Sequence, residues 1–337
     1  MKDFKGKIAF VTGGGAGIGL GQAQMLADAG MKVVITDNRR DYLDEVEELF
    51  KGTDAEIHTM LLDVTDREAF AAAADEVERL YGCPPQMLVL TAGVNVYGPA
   101  EASTYDDYDW ILGVNLGGVI NGLVTFVPRM IKAGKGGHIL TTGSWASFSS
   151  VEMFTPYSAS KAAVLSLMEG YYHALKHYGI GVTVFCPANV KTRHAEQGLH
   201  NRPEAVSKTG YNVNEKTQAH MQIIHEFGMD PRLAADWVKE AIENDQFVSM
   251  PYPNADILIS NTLARYAFLA TPNGEERLAE YRANPSEELR QARAGMSAAN
   301  QNPEGIPRPT SEMAAAAGFS LARPDLDWVI PSRRAKE

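Results

Sequence analysis

A chain of 337 residues with 45% apolar content has enough hydrophobic mass for a large core, in one big domain or two small ones. Its formal net charge of −11 repels a polyanion and no Lys/Arg tract overrides it, which argues against nucleic acid as a partner. No run approaches the ~20 apolar residues of a membrane span, the opening Met1-Lys2-Asp3-Phe4 lacks the pattern of a signal peptide, and Cys83 and Cys186, each in an apolar stretch, read as reduced buried thiols, so no membrane association and a cytoplasmic location are expected.

Short β-branched or apolar runs alternate with longer segments of helical periodicity, the pattern of βαβ units. Strands are predicted at residues 8–11, 32–36, 57–62, 87–90, 138–142 and 181–185, with crossover helices at 19–29, 41–50, 67–81, 104–132 and 158–178. The fold class is therefore α/β, a doubly wound parallel sheet flanked by helices. After Pro187 the pattern loosens into a polar stretch with His194, His200, Pro203, Gly210 and Tyr211, long enough over about residues 193–230 to be a substrate-loop insertion. A helix at 232–244, a last strand at 246–250 and a helical segment at 254–282 follow. This gives one catalytic domain over 1–255 and a C-terminal helical extension and tail over 256–337, Pro-interrupted and Ala-rich from Gly295 on.

The run Thr12-Gly13-Gly14-Gly15-Ala16-Gly17-Ile18-Gly19 leaves the first strand and opens the first helix. Its glycines, Gly13, Gly17 and Gly19, with Ile18 between, let the chain turn tightly and bring backbone N–H groups to a pyrophosphate at a helix N-terminus, as in a Rossmann-type fold. Asp37 closes the second strand about twenty residues on, where a carboxylate accepts from both ribose hydroxyls and repels a 2′-phosphate. That favours NAD over NADP, although Arg39 and Arg40 stand close enough to neutralise such a phosphate. Asp63 and Val64, ending the third strand, suit either an adenine contact or a strand end capped before Thr65.

Ser144 follows the fifth strand, and Tyr157 and Lys161 lie i, i+4 on one face of the next helix. A phenol with an ordinary pKa of about 10 must shift by two or three units to act as a base near neutrality. In this reading Lys161 lowers the Tyr157 phenol together with the positive nicotinamide ring and also binds the cofactor ribose, while Ser144 holds the substrate oxygen. Taken singly, a Tyr and a Lys at this spacing are a packed ring beside a snorkelling amine; the glycine loop is what favours the chemical reading.

These motifs resemble the short-chain dehydrogenase/reductase family over about residues 5–255. Thr12-Gly13-x-x-x-Gly17-Ile18-Gly19, Thr91-Ala92-Gly93, Asn115, Ser144 and Tyr157-x-x-x-Lys161 stand in that family's order. The resemblance implies cofactor contacts from Ala92 and Gly93, and a water held by Asn115 that relays the proton from Lys161. It also implies a nicotinamide clamp from Pro187, Val190 and Thr192, and a homodimer or homotetramer paired through the long helices. Thr91 stands where an Asn is usual and Ala188 where a Gly is usual. A closer similarity links residues 1–4, 91–95, 104–110 and 115–130 to the NAD-dependent Cα-dehydrogenases of bacterial lignin β-aryl ether breakdown. That implies oxidation of a benzylic secondary alcohol to a ketone, with a hydroxysteroid or other alicyclic alcohol as the alternative substrate and a non-catalytic NAD(H) sensor as the alternative class. Asn95, Trp145, Phe148, Met153, Phe154 and Tyr211 are candidates for a substrate pocket, against ordinary packing.

No metal is expected. His173 and His177 have a ligand spacing but no third partner in sequence. The acidic clusters at 41–48 and 106–109 read as solvated helix faces and first turns.

Overall fold

The computed structural model describes residues 1–95, 97–150, 152–192, 202–204, 209, 211 and 225–301. Most of the expected substrate loop and the tail beyond 301 lie outside these residues. In chain order the elements are β1 (Ile8–Thr12), α1 (Gly17–Asp28), β2 (Lys32–Asp37), α2 (Arg40–Phe50), β3 (Ile57–Leu61), α3 (Arg67–Tyr81) and β4 (Met87–Leu90). Then come α4 (Tyr105–Leu112), a π-helical turn (Gly113–Gly117), α5 (Gly118–Ala133), β5 (Gly137–Thr142), α6 (Thr155–Leu175), β6 (Ile180–Phe185), α7 (Pro231–Glu243) and β7 (Val248–Ser249). Three C-terminal helices follow, α8 (Ala255–Leu269), α9 (Gly274–Ala283) and α10 (Glu287–Gln301).

All strand pairs are parallel, in the order β3-β2-β1-β4-β5-β6-β7. Helices cover both faces, so central strands are buried on each side and read as continuous apolar runs: every residue of β1 and of β4 is buried. Phe10 of β1, Phe70 of α3 and Phe126 of α5 pack tilted or edge-on at centroid distances of 4.7–6.2 Å, joining two helices to the sheet centre.

The structure breaks two predicted helices. The segment 104–132 is interrupted by the π turn, an inserted residue among glycines that periodicity does not register. The segment 254–282 is interrupted before Asn273, which takes a left-handed conformation (φ 58°) in the sequence Thr271-Pro272-Asn273-Gly274, a stop signal that was readable. The stretch Tyr105–Ala133 is also long and apolar enough to cross a membrane, contrary to the sequence reading; half of its apolar window is buried in the protein, as in a core helix. Among the C-terminal helices, Leu258 of α8 and Leu289 and Ala292 of α10 form a small core that reaches Trp145, and Arg265 of α8 donates to the Phe148 carbonyl (2.9 Å). The extension is therefore docked beside the turn that follows Ser144.

His138 of β5 is fully buried. Its Nε2 lies 2.8 Å from Thr183 Oγ1, whose hydrogen is already given to the Gln246 carbonyl (2.7 Å), so His138 is the donor. Burial pushes its pKa down to about 3. The unfolded chain takes up a proton near pH 6.5 that the folded chain resists, so the stability this neutral ring gives above pH 6.5 is lost as pH falls toward 3. The melting temperature is expected to drop on acidification from pH 6.5 to 4, and to drop less in His138→Gln. Parallel pH profiles for the two proteins in thermal unfolding would refute this assignment.

Candidate active site

β1 and β4 are paired to their carboxyl ends, and the chain leaves them toward opposite sides of the sheet, which opens a cleft at the switch point. Gly13 has a left-handed φ of 63°, and a Cβ there would come within 2.7 Å of Ala92 Cα, so only glycine lets the turn close on the neighbouring strand end. α1 then starts with neither a side-chain cap nor an acidic residue in its first turn, leaving its N–H groups for an anion. Beneath the loop, Thr12 Oγ1 accepts from the backbone N–H of Thr91 (3.1 Å) and Ala92 (3.3 Å). Thr91 Oγ1 donates to Gln22 Oε1 (2.6 Å) and meets Thr142 Oγ1 (2.8 Å). The threonine that departs from the family pattern is thus spent on tying β1, β4 and β5 together.

Asp37 accepts from the N–H of Gly15 and of Arg39, both at 3.1 Å. Burial raises its pKa despite these bonds. Neither neighbouring arginine faces a phosphate freely: Arg39 pairs with Asp41 (2.5 Å) over the Tyr42 ring, and Arg40 pairs with Asp44 (3.1 Å) and Glu47 (3.0 Å). Asp63 is exposed and folds onto Thr65, accepting from its N–H (2.9 Å) and hydroxyl (2.7 Å), while α3 is capped by Asp66 instead. Asp63 and Val64 both border the cleft, as do Gly13, Gly17, Ile18, Gly19, Asp37, Ala92, Gly93, Pro187, Val190 and Thr192. A glycine cradle, an uncapped helix start and a carboxylate at the end of β2 fit a dinucleotide.

Ser144, Tyr157 and Lys161 line the same cleft. Tyr157 is the third residue of α6, just after Pro156, and its hydroxyl shares a hydrogen bond with Ser144. Lys161 Nζ donates to the Thr142 carbonyl (2.8 Å) and sits 5.6 Å from the centre of the Tyr157 ring. The lowering was expected from Lys161 and a bound nicotinamide together; the polypeptide alone raises the phenol. Burial pushes Tyr157 up to about 12 and Lys161 down to about 8, because desolvation penalises the charged form of each. Cys186 at the end of β6 shares this dry pocket, and burial raises its thiol to about 12.

Asn115, in the π turn, is fully buried. Its Oδ1 accepts from Val94 N–H (2.8 Å) and its Nδ2 donates to the Val94 carbonyl and to Ser160 Oγ, both at 3.0 Å. Its Oδ1 and Lys161 Nζ both border Gly93. Both hydrogens of the amide are used, and the side chain fastens the β4 end to the helix.

The substrate-side candidates stand apart from the cleft residues. Phe154 stacks edge-on against Tyr97 (5.3 Å), Tyr211 packs on Ile111 and Trp110, and Trp145 packs on Phe148 and the C-terminal helices. Asn95 is buried with its Oδ1 unpaired among the described residues. Residues not singled out from sequence border the cleft, among them Trp110, Val114 and His225. His225 lies 3.3 Å from both Tyr97 Oη and the Val190 carbonyl. Tyr252, just past β7, accepts from Ala188 N–H (2.9 Å) and so steadies the expected nicotinamide segment. Three-dimensional pairing is what brings these to the site region; Trp110 alone lies in a segment, 104–110, singled out for its similarity.

A family model described as short chain dehydrogenase matches residues 7–202. A Cα-dehydrogenase of Sphingobium sp. (strain NBRC 103272 / SYK-6) is 47% identical over 253 residues, covering 75% of this chain and 83% of that protein. The apo form of LigD from Sphingobium sp. strain SYK-6 is 40% identical at a TM-score of 0.66, over 80% of this chain and 100% of the other. A short-chain dehydrogenase/reductase from Burkholderia phymatum, solved with NAD, is 30% identical at a TM-score of 0.72, over 85% and 99%. Another similar structure, a metagenomic short-chain oxidoreductase, was solved with NADP. The chain belongs to the short-chain dehydrogenase/reductase family of oxidoreductases.

Proposed function

We propose that this protein oxidises a secondary benzylic alcohol to a ketone with NAD. The observation that carries the reading is the placement of Tyr157, hydrogen-bonded to Ser144 with Lys161 beside it, in the same cleft as the glycine loop and Asp37. Asp37 and the acid-paired Arg39 and Arg40 favour a free ribose over a 2′-phosphate. The similarity to a Cα-dehydrogenase supports the benzylic alcohol.

When bound, the nicotinamide supplies the hydride acceptor and a positive ring. Ser144 Oγ holds the alcohol oxygen, and Tyr157 Oη takes its proton. Because burial alone leaves Tyr157 near 12, its phenolate depends on positive charge gathered around it, which Lys161 provides from the protein side. Asn115 holds Gly93 and Val94 in place beside Lys161 and so keeps the ammonium's surroundings fixed. The exposed Ile120 and Val124 of α5 support pairing of two copies along that helix.

The test is absorbance at 340 nm with NAD⁺ or NADP⁺ against benzylic aryl-ether alcohols, hydroxysteroids and simple secondary alcohols. Turnover of the aryl-ether alcohols with NAD⁺ is expected. Preference for steroids would replace the substrate assignment, and preference for NADP⁺ would overturn the argument from Asp37. Tyr157→Phe is expected to lose on the order of 10²–10⁴ in kcat while keeping NADH affinity; a variant that turns over normally would remove Tyr157 from the chemistry. Asn115→Leu leaves the Val94 N–H and C=O unpaired, at about 1–3 kcal/mol for each group. Its urea midpoint should fall accordingly, and an unchanged midpoint would contradict the fastening role.

A further inference from the structure

Within the acidic cluster expected to be a solvated face, Asp107 is the exception: it is wholly buried. Its Oδ2 accepts from the N–H and the hydroxyl of Thr104, both at 2.8 Å, closing the cap at the start of α4. Its Oδ1 accepts from Thr209 Oγ1 (2.7 Å) and from Nη2 of Arg202, a residue 95 positions later whose side chain is equally buried. Nη2 also donates to Thr209 Oγ1 (3.1 Å), and the guanidinium lies 5.6 Å from the centre of the Trp110 ring. Arg202 Nε and Nη1 have no acceptor among the described residues.

Such a pair is a poor source of stability, since both charges are desolvated and two guanidinium nitrogens go unspent. What it fixes is position. Trp110, three residues beyond Asp107, and Pro203, next to Arg202, both border the cleft. Tyr211 continues the seam: its ring packs on Ile111, its hydroxyl donates to the Met153 carbonyl (3.0 Å), and its backbone lies directly over Gly98.

We infer that Asp107 is a positioning residue for the substrate end of the cleft: through Arg202 and Thr209 it fixes the segment carrying Pro203 against Trp110, and so shapes the wall that receives the bulky part of the alcohol. The inference rests on the reading of this cleft as an alcohol-oxidation site.

Asp107→Asn keeps an acceptor for the Thr104 cap and removes the counter-charge. It should raise KM for the alcohol by about tenfold or more, with kcat within about threefold and the NADH Kd within about twofold of the parent. Thr104→Ala weakens the cap and spares the ion pair, so it should lower Tm and leave KM unchanged. The apolar pair Asp107→Leu with Arg202→Met should recover Tm without recovering KM. An unchanged KM in Asp107→Asn, a joint loss in KM, kcat and NADH affinity, or an equal rise of KM in Thr104→Ala would overturn the positioning role. A double-mutant cycle on Tm with Asp107→Asn and Arg202→Gln reads the pairing without any substrate. Non-additive shifts with no alcohol turned over would sink the functional reading and keep the pair, and additive shifts would sink the pair itself.

Discussion

The reversal of strand order at β1 is the constraint on which the site depends. β2 and β3 lie to one side of β1 and β4 to β7 to the other, so no connection bridges the carboxyl ends of β1 and β4. That gap needs chain that turns sharply and strands that do not splay. Gly13 supplies the first requirement. The second is met by hydroxyls and an amide, Thr12, Thr91, Thr142 and Gln22, which bond across β1, β4, β5 and α1 below the cleft. A layer of short polar side chains does here what apolar packing does elsewhere in the sheet, at the one level where the core gives way to a polar ligand site.

Much of this architecture was legible because a buried parallel sheet writes itself as apolar runs separated by helical periods. Each predicted strand overlaps an observed one, and the residues expected to hold a dinucleotide border a single cleft. What stayed hidden has particular physical causes. The π turn adds a residue where glycines blur the period, so Asn115 appeared to sit inside one long helix. Asp107 looked solvated because its partner lies far away in sequence and no local rule joins residues 107 and 202. The Tyr157–Lys161 spacing was readable, but the upward pull that burial exerts on the phenol in the polypeptide alone was not, since desolvation is a property of everything packed around the ring. Trp110, His225 and Tyr252 reach the site region from a helix face, a short turn and the end of a strand, and nothing local in the sequence points any of them at the cleft.

Burial rather than charge sets the character of the catalytic end. Tyr157 is raised, Lys161 is lowered and Cys186 is raised, all chiefly by desolvation, so each group is driven toward its neutral form. A pocket of this kind is quiet until a positive group enters it. Under the proposed oxidation, this ties the strength of Tyr157 as a base to what occupies the cleft.

The same dryness decides how the two thiols behave toward reagents. Cys186 is wholly buried and burial holds its thiol well above the ordinary range, so it is a spectator to alkylation and to peroxide although it stands beside Ser144 and Lys161. Cys83, partly exposed at the far end of α3, is the thiol that a label would find. A fluorophore attached there would report on the outer shell of the domain, and modification of this protein by thiol reagents would carry no information about its chemistry.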